Sequence, residues 1–139
     1  MSAAVHGKVL MPGPMAEGEA LLLTAPISFW GGVDPASGLV ADVRHPQQGM
    51  SIAGRVLFLP ATIGSSSASA VLLELVRSGC APAALVLHEP DAILLLGLVV
   101  ASEMGWPSPI ALQLDRSQFA PFHGTRVGVS PAGTMSAIR

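Results

Sequence analysis

One cysteine, Cys80, stands among the 139 residues. No disulfide can close within the chain, and no cysteine-ligated cluster can form on it alone. An iron–sulfur site, if one matters to the activity, has to lie on another subunit. Lysine is equally scarce: Lys8 stands beside six arginines, and the formal net charge is −2. That balance lacks the basic stripe a phosphate backbone requires, which argues against nucleic acid as a partner. Charged residues make up 12% of the chain, about half the ~25% of an average soluble domain, which excludes a disordered tail. Long apolar runs are missing too. The longest, residues 92–101, covers ten positions, whereas a membrane span needs about twenty. The N-terminal stretch is broken by Gly7, Pro12 and Gly13 and has no signal-peptide apolar segment. The expectation is a soluble, cytoplasmic protein with no membrane partner.

What the chain has in excess is apolar surface. With its 15 glycines the apolar set reaches about 61%, against roughly 45–50% for an average chain. Either an Ala- and Leu-rich core absorbs the surplus, or part of it faces a partner. Residues 1–139 read as a single domain, at roughly 100–200 residues per domain.

The two halves differ. Up to about Leu59, short runs such as Lys8-Val9-Leu10-Met11, Ala20-Leu21-Leu22-Leu23 and Leu39-Val40-Ala41 are punctuated by Gly and Pro. They predict strands and turns, and this half is expected to add a β layer. The second half alternates. Val56–Leu59, residues 83–87 and residues 109–114 read as buried strands, and Arg126–Val129 as a fourth. Ser69–Arg77 shows helical spacing, with Gly79 as its C-terminal stop, and a second helix is expected from Ala92 to Met104. Strand–helix–strand–helix–strand implies an α/β fold with parallel strands.

Gly64-Ser65-Ser66-Ser67-Ala68-Ser69 falls between a buried strand and a helix. There the first helical N–H groups lack intrahelical acceptors and the helix dipole is positive, so an anion or a serine alkoxide is stabilised. The simpler reading is a run of N-cap serines. One serine suffices for a cap, and four crowd this turn. His6, His45, His88 and His123 are scattered without metal-ligand spacing. Phe29-Trp30-Gly31-Gly32 suits either a close approach to a ligand or chain, or a tight bend with core aromatics. Arg44-His45 reads as an anion clamp or a surface turn before Pro46, and Cys80 as an inert buried thiol.

Taken together these strings resemble a known family. Ile27-Ser28-Phe29-Trp30-Gly31-Gly32-Val33-Asp34-Pro35 is followed in order by Arg44-His45-Pro46, Gly49 and Gly54-Arg55. Gly64-Ser65-Ser66, Ser69, Leu72-Leu73-Glu74-Leu75, Ala81-Pro82-Ala83-Ala84 and Glu89-Pro90-Asp91 come next. From Gly7 to Leu114 the chain resembles the small, swivelling-domain subunit of the aconitase X branch of the aconitase superfamily.

The resemblance implies a three-layer swivelling β/β/α fold with a partly parallel central sheet. It implies a larger partner subunit, in a heterodimer or higher assembly, that carries the iron–sulfur cluster or iron; no cofactor is expected on this chain. It implies a hydro-lyase acting on a small hydroxy acid: cis-3-hydroxy-L-proline, or mevalonate 5-phosphate in archaea. In the aconitase-like loop the first serine is the base and later residues bind substrate. That places the base on Ser65 and substrate contacts on Gly64, Ser66 and Ser67. The loop arginine of aconitases is Ser67 here, so binding by Arg does not carry over.

A second departure concerns charge. Many family members have Arg before the final Gly of this loop, where this chain has Ile63. Losing that cation disfavours a phosphorylated substrate. One lysine in a chain rich in Ala, Gly and Pro is also unlike the Lys/Glu enrichment of hyperthermophiles. Both observations favour cis-3-hydroxy-L-proline. A non-catalytic binding domain that kept the fold is the alternative from another class.

Overall fold

The computed structural model of the protein describes residues 4–138. In chain order its elements are β1 (Val5–His6), β2 (Lys8–Met11), β3 (Ala16–Leu22), α1 (Phe29–Gly32), β4 (Val56–Leu59) and α2 (Ala68–Ser78). β5 (Ala84–Leu87), α3 (Ala92–Glu103), β6 (Ile110–Gln113), β7 (Arg126–Val129) and β8 (Thr134–Ile138) follow. α1 is one irregular turn, inside which Trp30 and Gly31 leave helical angles.

The eight strands form one sheet in the order β1-β8-β7-β3-β4-β5-β6-β2. β3, β4, β5 and β6 run parallel, with α2 and α3 as crossovers. β3 is the corner: Ala16–Glu19 pair antiparallel with β7, and Ala20–Leu22 pair parallel with β4. Only Gly7 separates β1 from β2, yet these strands lie at opposite ends of the order. The sheet therefore curls until its ends meet. Gly7 N–H donates to the Gly133 carbonyl at 2.9 Å, and a Cβ on Gly133 (φ +96°) would stand 2.5 Å from the Gly7 carbonyl oxygen. Only glycine fits such an approach.

Strand side chains alternate between two faces, and in the parallel strands both faces are buried. Val56, Phe58, Ala84, Val86, Ile110 and Leu112 pack inside the curl with Val127, Val129 and Met135 of the antiparallel strands. Phe119 and Phe122 close on Phe58, with ring centroids 5.2 and 5.4 Å away. Leu57, Leu59, Leu85, Leu87 and Ala111 face the other way, against Leu72 and Leu75 of α2 and Leu94 and Leu98 of α3. Three layers result: antiparallel strands, parallel strands, helices. Double burial is why Val56–Leu59 reads as an uninterrupted apolar run.

Two expectations are corrected. The N-terminal half does not build the extra β layer by itself, because β7 and β8 supply much of it. Leu39-Val40-Ala41 is not a strand. It makes only single bridges, Val33 to Val40 and Leu39 to Ser51, since Gly38 (φ +80°) and Gly49 (φ +88°) turn the chain before a ladder can propagate. No helix among the described residues is long and apolar enough to cross a membrane.

Candidate active site

The segments that follow β3, β4, β5 and β6 all emerge at one end of the parallel sheet, the usual ligand-binding end of open α/β sheets. The serine loop follows β4. Gly64, Ser65, Ser66 and Ser67 are contiguous there, and Ser67 stands at the N-cap of α2 without a side-chain cap bond of its own. Ser65 instead organises the turn that leads into the helix. Its Oγ accepts from the Ser67 N–H at 3.2 Å, and its carbonyl accepts from the Ala68 N–H at 3.1 Å. The Ser69 hydroxyl donates to the Ser66 carbonyl at 3.2 Å. The amides of Ser69 and Ala70 have no intrahelical acceptor, as in any first helical turn. Ser65 Oγ therefore sits at the positive end of α2, half-buried, with a backbone donor aimed at it. The structural role, holding the turn before the helix, and the catalytic reading fall on the same oxygen.

Gly64 is required by nothing in the chain's own fold. Its φ is not positive, and no heavy atom lies within 4 Å of where a Cβ would stand. Open space lies beside Ser65.

The loop is pinned from both sides. Ile63 N–H donates to the Ile27 carbonyl at 2.9 Å, extending the β3–β4 pairing. Thr62 Oγ1 donates to Asp91 Oδ2 at 2.6 Å, while Asp91 Oδ1 accepts from the Leu94 N–H at 3.0 Å and so caps α3. The Asp91 carboxylate thus joins the loop after β4 to the start of α3. Its residue was part of a recognisable string, but a partner 29 positions away leaves no local signature.

Phe29 and Trp30 divide the two readings of their motif between them. Phe29 is core, and Trp30 is 58% exposed. Trp30, Gly31, Asp34 and Val71 line a shallow hollow beside α2. Asp34 accepts from the Ala36 N–H and the Ser37 hydroxyl, both at 2.9 Å, and these bonds hold its carboxyl below the ordinary range. Arg44 and His45 do not make an anion clamp. His45 is buried; its Nδ1 accepts from the Gln47 N–H at 3.0 Å, so Nε2 carries the hydrogen and donates to the Ala25 carbonyl at 3.0 Å. Arg44 remains exposed. Cys80 is only half-buried, its Sγ 3.5 Å from the Ala36 carbonyl oxygen. No group of three or more His, Cys, Asp or Glu among the described residues could hold a metal ion.

A family model described as the aconitase X swivel domain matches residues 4–137. The chain belongs to that family. A chain of the crystal structure of Thermococcus kodakaraensis aconitase X (holo-form) superposes with a TM-score of 0.84 at 29% identity, covering 99% of both chains. Among curated relatives, cis-3-hydroxy-L-proline dehydratase of Pseudomonas aeruginosa is 49% identical over 116 residues, 80% of this chain but 20% of the relative. The protein of the same name from Hypocrea jecorina is 37% identical, covering 99% of this chain and 22% of the relative. Phosphomevalonate dehydratase small subunit of Thermococcus onnurineus is 42% identical over 89 residues, 64% of this chain and 68% of the relative. This aconitase X swivel domain therefore spans about a fifth of the length of the two hydroxyproline dehydratases it matches.

Proposed function

We propose that this chain, acting as one swivelling domain, is the smaller part of a hydro-lyase that dehydrates cis-3-hydroxy-L-proline, with Ser65 as the base. The observation that carries the reading is the Ser67 N–H on Ser65 Oγ at the start of α2. A serine is a poor base at its usual pKa. A backbone donor and a helix N-terminus stabilise the alkoxide, and exclusion of water by a second polypeptide strengthens both.

In this reaction Ser65 Oγ takes the proton from the carbon bearing the carboxylate. The electron pair left behind forms the ring double bond as hydroxide departs from the neighbouring carbon. The enamine product then tautomerises to a cyclic imine. Ser66 and Ser67, whose hydroxyls have no partner among the described residues, offer donors to the substrate carboxylate. Gly64 leaves room for it. The group that receives the hydroxide belongs to the larger polypeptide, and the complex works in the cytoplasm.

Two relatives named for cis-3-hydroxy-L-proline support the substrate, as does Ile63 in place of a cation. The relatives named for phosphomevalonate support the second reading, mevalonate 5-phosphate. Co-expression with the larger polypeptide, followed by assay of both compounds, tests the choice. Cyclic imine from the hydroxyproline and no product from the phosphate is the expected result. Turnover of the phosphate alone reverses the ranking, and turnover of neither makes the chain a binding domain.

A further inference from the structure

The serine loop borders an apolar surface that the fold leaves uncovered. Residues 92–101 are apolar throughout, so α3 has apolar side chains on every side. Leu94, Leu95, Leu98 and Ala101 are buried, whereas Ile93 (49% exposed), Leu96 (52%), Val100 and Met104 are not. Their spacing of three and four aligns these four on one outward stripe. Between Leu96 and Val100, Gly97 lets α2 approach so closely that a Cβ there would stand 2.5 Å from the Ser69 carbonyl oxygen. Ser69, Ala70 and Leu73 of α2 complete a groove of about 320 Å³ along the stripe. Ser69 is the link, because its hydroxyl holds the Ser66 carbonyl. Two further exposed apolar side chains, Trp30 and Ile63 (54%), lie at the same end of the sheet. Trp30, Ile63 and Ile93 stand on the segments after β3, β4 and β5, with the Ser65 loop in the middle one.

We infer that this surface, from Trp30 and Ile63 across Ile93 to Leu96, Val100 and Met104, is where the larger polypeptide docks. The inference rests on the function proposed above. Ser65 alone cannot complete a dehydration, so another polypeptide has to reach it, and the uncovered surface is continuous with its loop. A second copy of this chain would bring another serine loop and no group to receive hydroxide. In the Pseudomonas and Hypocrea relatives the matched stretch occupies 20% and 22% of the chain, so the domain there has about four times its own mass of protein to pack against.

The test uses the full chain and the larger polypeptide from the same genome. Leu96→Glu with Val100→Glu places two good helix formers at exposed positions. It should weaken association about tenfold or more by calorimetry, as removal of a central interface anchor does. Ile138→Glu, at a residue 39% exposed on β8 in the antiparallel layer, with the parallel strands between it and α3, should leave association unchanged. Hydrogen exchange on the unaltered proteins gives an answer that needs no substitution: amides of 93–104 should gain protection in the complex. Unchanged affinity of the double variant, or unprotected amides, overturns the inference. So does a stable dimer of this chain whose stripe stays covered when the larger polypeptide is added. Association is read without substrate. A complex that assembles through this face but dehydrates neither compound overturns the proposed function and leaves the docking face standing.

Discussion

Thr62 and Asp91 are joined by a hydrogen bond of 2.6 Å across two strands of the parallel sheet. Thr62 lies three residues before Ser65, and Asp91 caps α3. One carboxylate therefore fixes both the loop that carries the proposed base and the helix that carries the proposed docking stripe.

This tie is measurable as a coupling. Thr62→Val should cost about 1 kcal/mol, the usual worth of one hydrogen bond. Asp91→Ala should cost about 2 kcal/mol, because the cap of α3 goes as well. The double variant should be no less stable than Asp91→Ala alone. Chemical denaturation of the four proteins gives the cycle, and strict additivity would show that the two side chains act independently.

Ser65→Ala should lower kcat of the assembled complex by several orders of magnitude. Losing only the bond that holds the turn costs about 1 kcal/mol of stability and leaves the rate nearly unchanged. Ser66→Ala and Ser67→Ala should act mainly on KM, if their hydroxyls hold substrate and transition state alike. Kinetics on the three variants, with assembly checked, separates the roles. A near-normal kcat for Ser65→Ala would reduce Ser65 to holding the turn.

Gly97→Ala tests the contact between the helices. Alanine improves helix propensity by about 1 kcal/mol, but its Cβ would press on the Ser69 carbonyl oxygen and the backbone nitrogen of Leu73. Overpacking of this kind costs about 1–3 kcal/mol, so a net loss of stability is expected in a thermal melt. Since Ser69 supports the serine loop, turnover should fall as well. A variant more stable than the parent would mean that α2 and α3 separate easily.

Asp34 predicts part of the acid limb of stability. Its carboxylate accepts from Ala36 and Ser37, which holds its folded pKa below the ordinary value of 3.8. As pH falls through the window between these values, the unfolded chain takes up the proton first and the native state loses its advantage. Asp34→Asn carries no titrating group. Its melting temperature should therefore change less than the parent's between about pH 5 and pH 3. Parallel curves for the two proteins would assign the acid limb to other carboxylates.

Much of this protein is local and was legible in its residues. Five of the eight strands lie on runs that read as strands, around Lys8–Met11, Val56–Leu59, Ala84–Leu87, Ile110–Gln113 and Arg126–Val129, and the Ala20–Leu22 run falls on the end of a sixth, β3. α2 and α3 fall within a residue or two of the spacing that predicted them, and Gly79 ends α2 at φ +77° as a left-handed cap. The family, and the serine turn before α2, were readable because a strand, a turn and a helix start are written in consecutive residues. The corner in β3 and the meeting of Gly7 with Gly133 were not, since each depends on a partner more than a hundred positions away in the chain. β8 went unread although it pairs locally with β7, Val129 opposite Met135, because Thr134–Ile138 carries no continuous apolar run. Nor could composition say where the apolar surplus goes. Leu94 and Leu96 are equivalent as residues, and only the packing of α3 buries one and exposes the other. His45 became a buried strut for the same reason: the local Gln47 N–H satisfies one ring nitrogen, and the other finds the Ala25 carbonyl, twenty positions away, which only the tertiary fold places there. Local patterning selects each element; which face of it meets water is decided by what the rest of the chain packs against it.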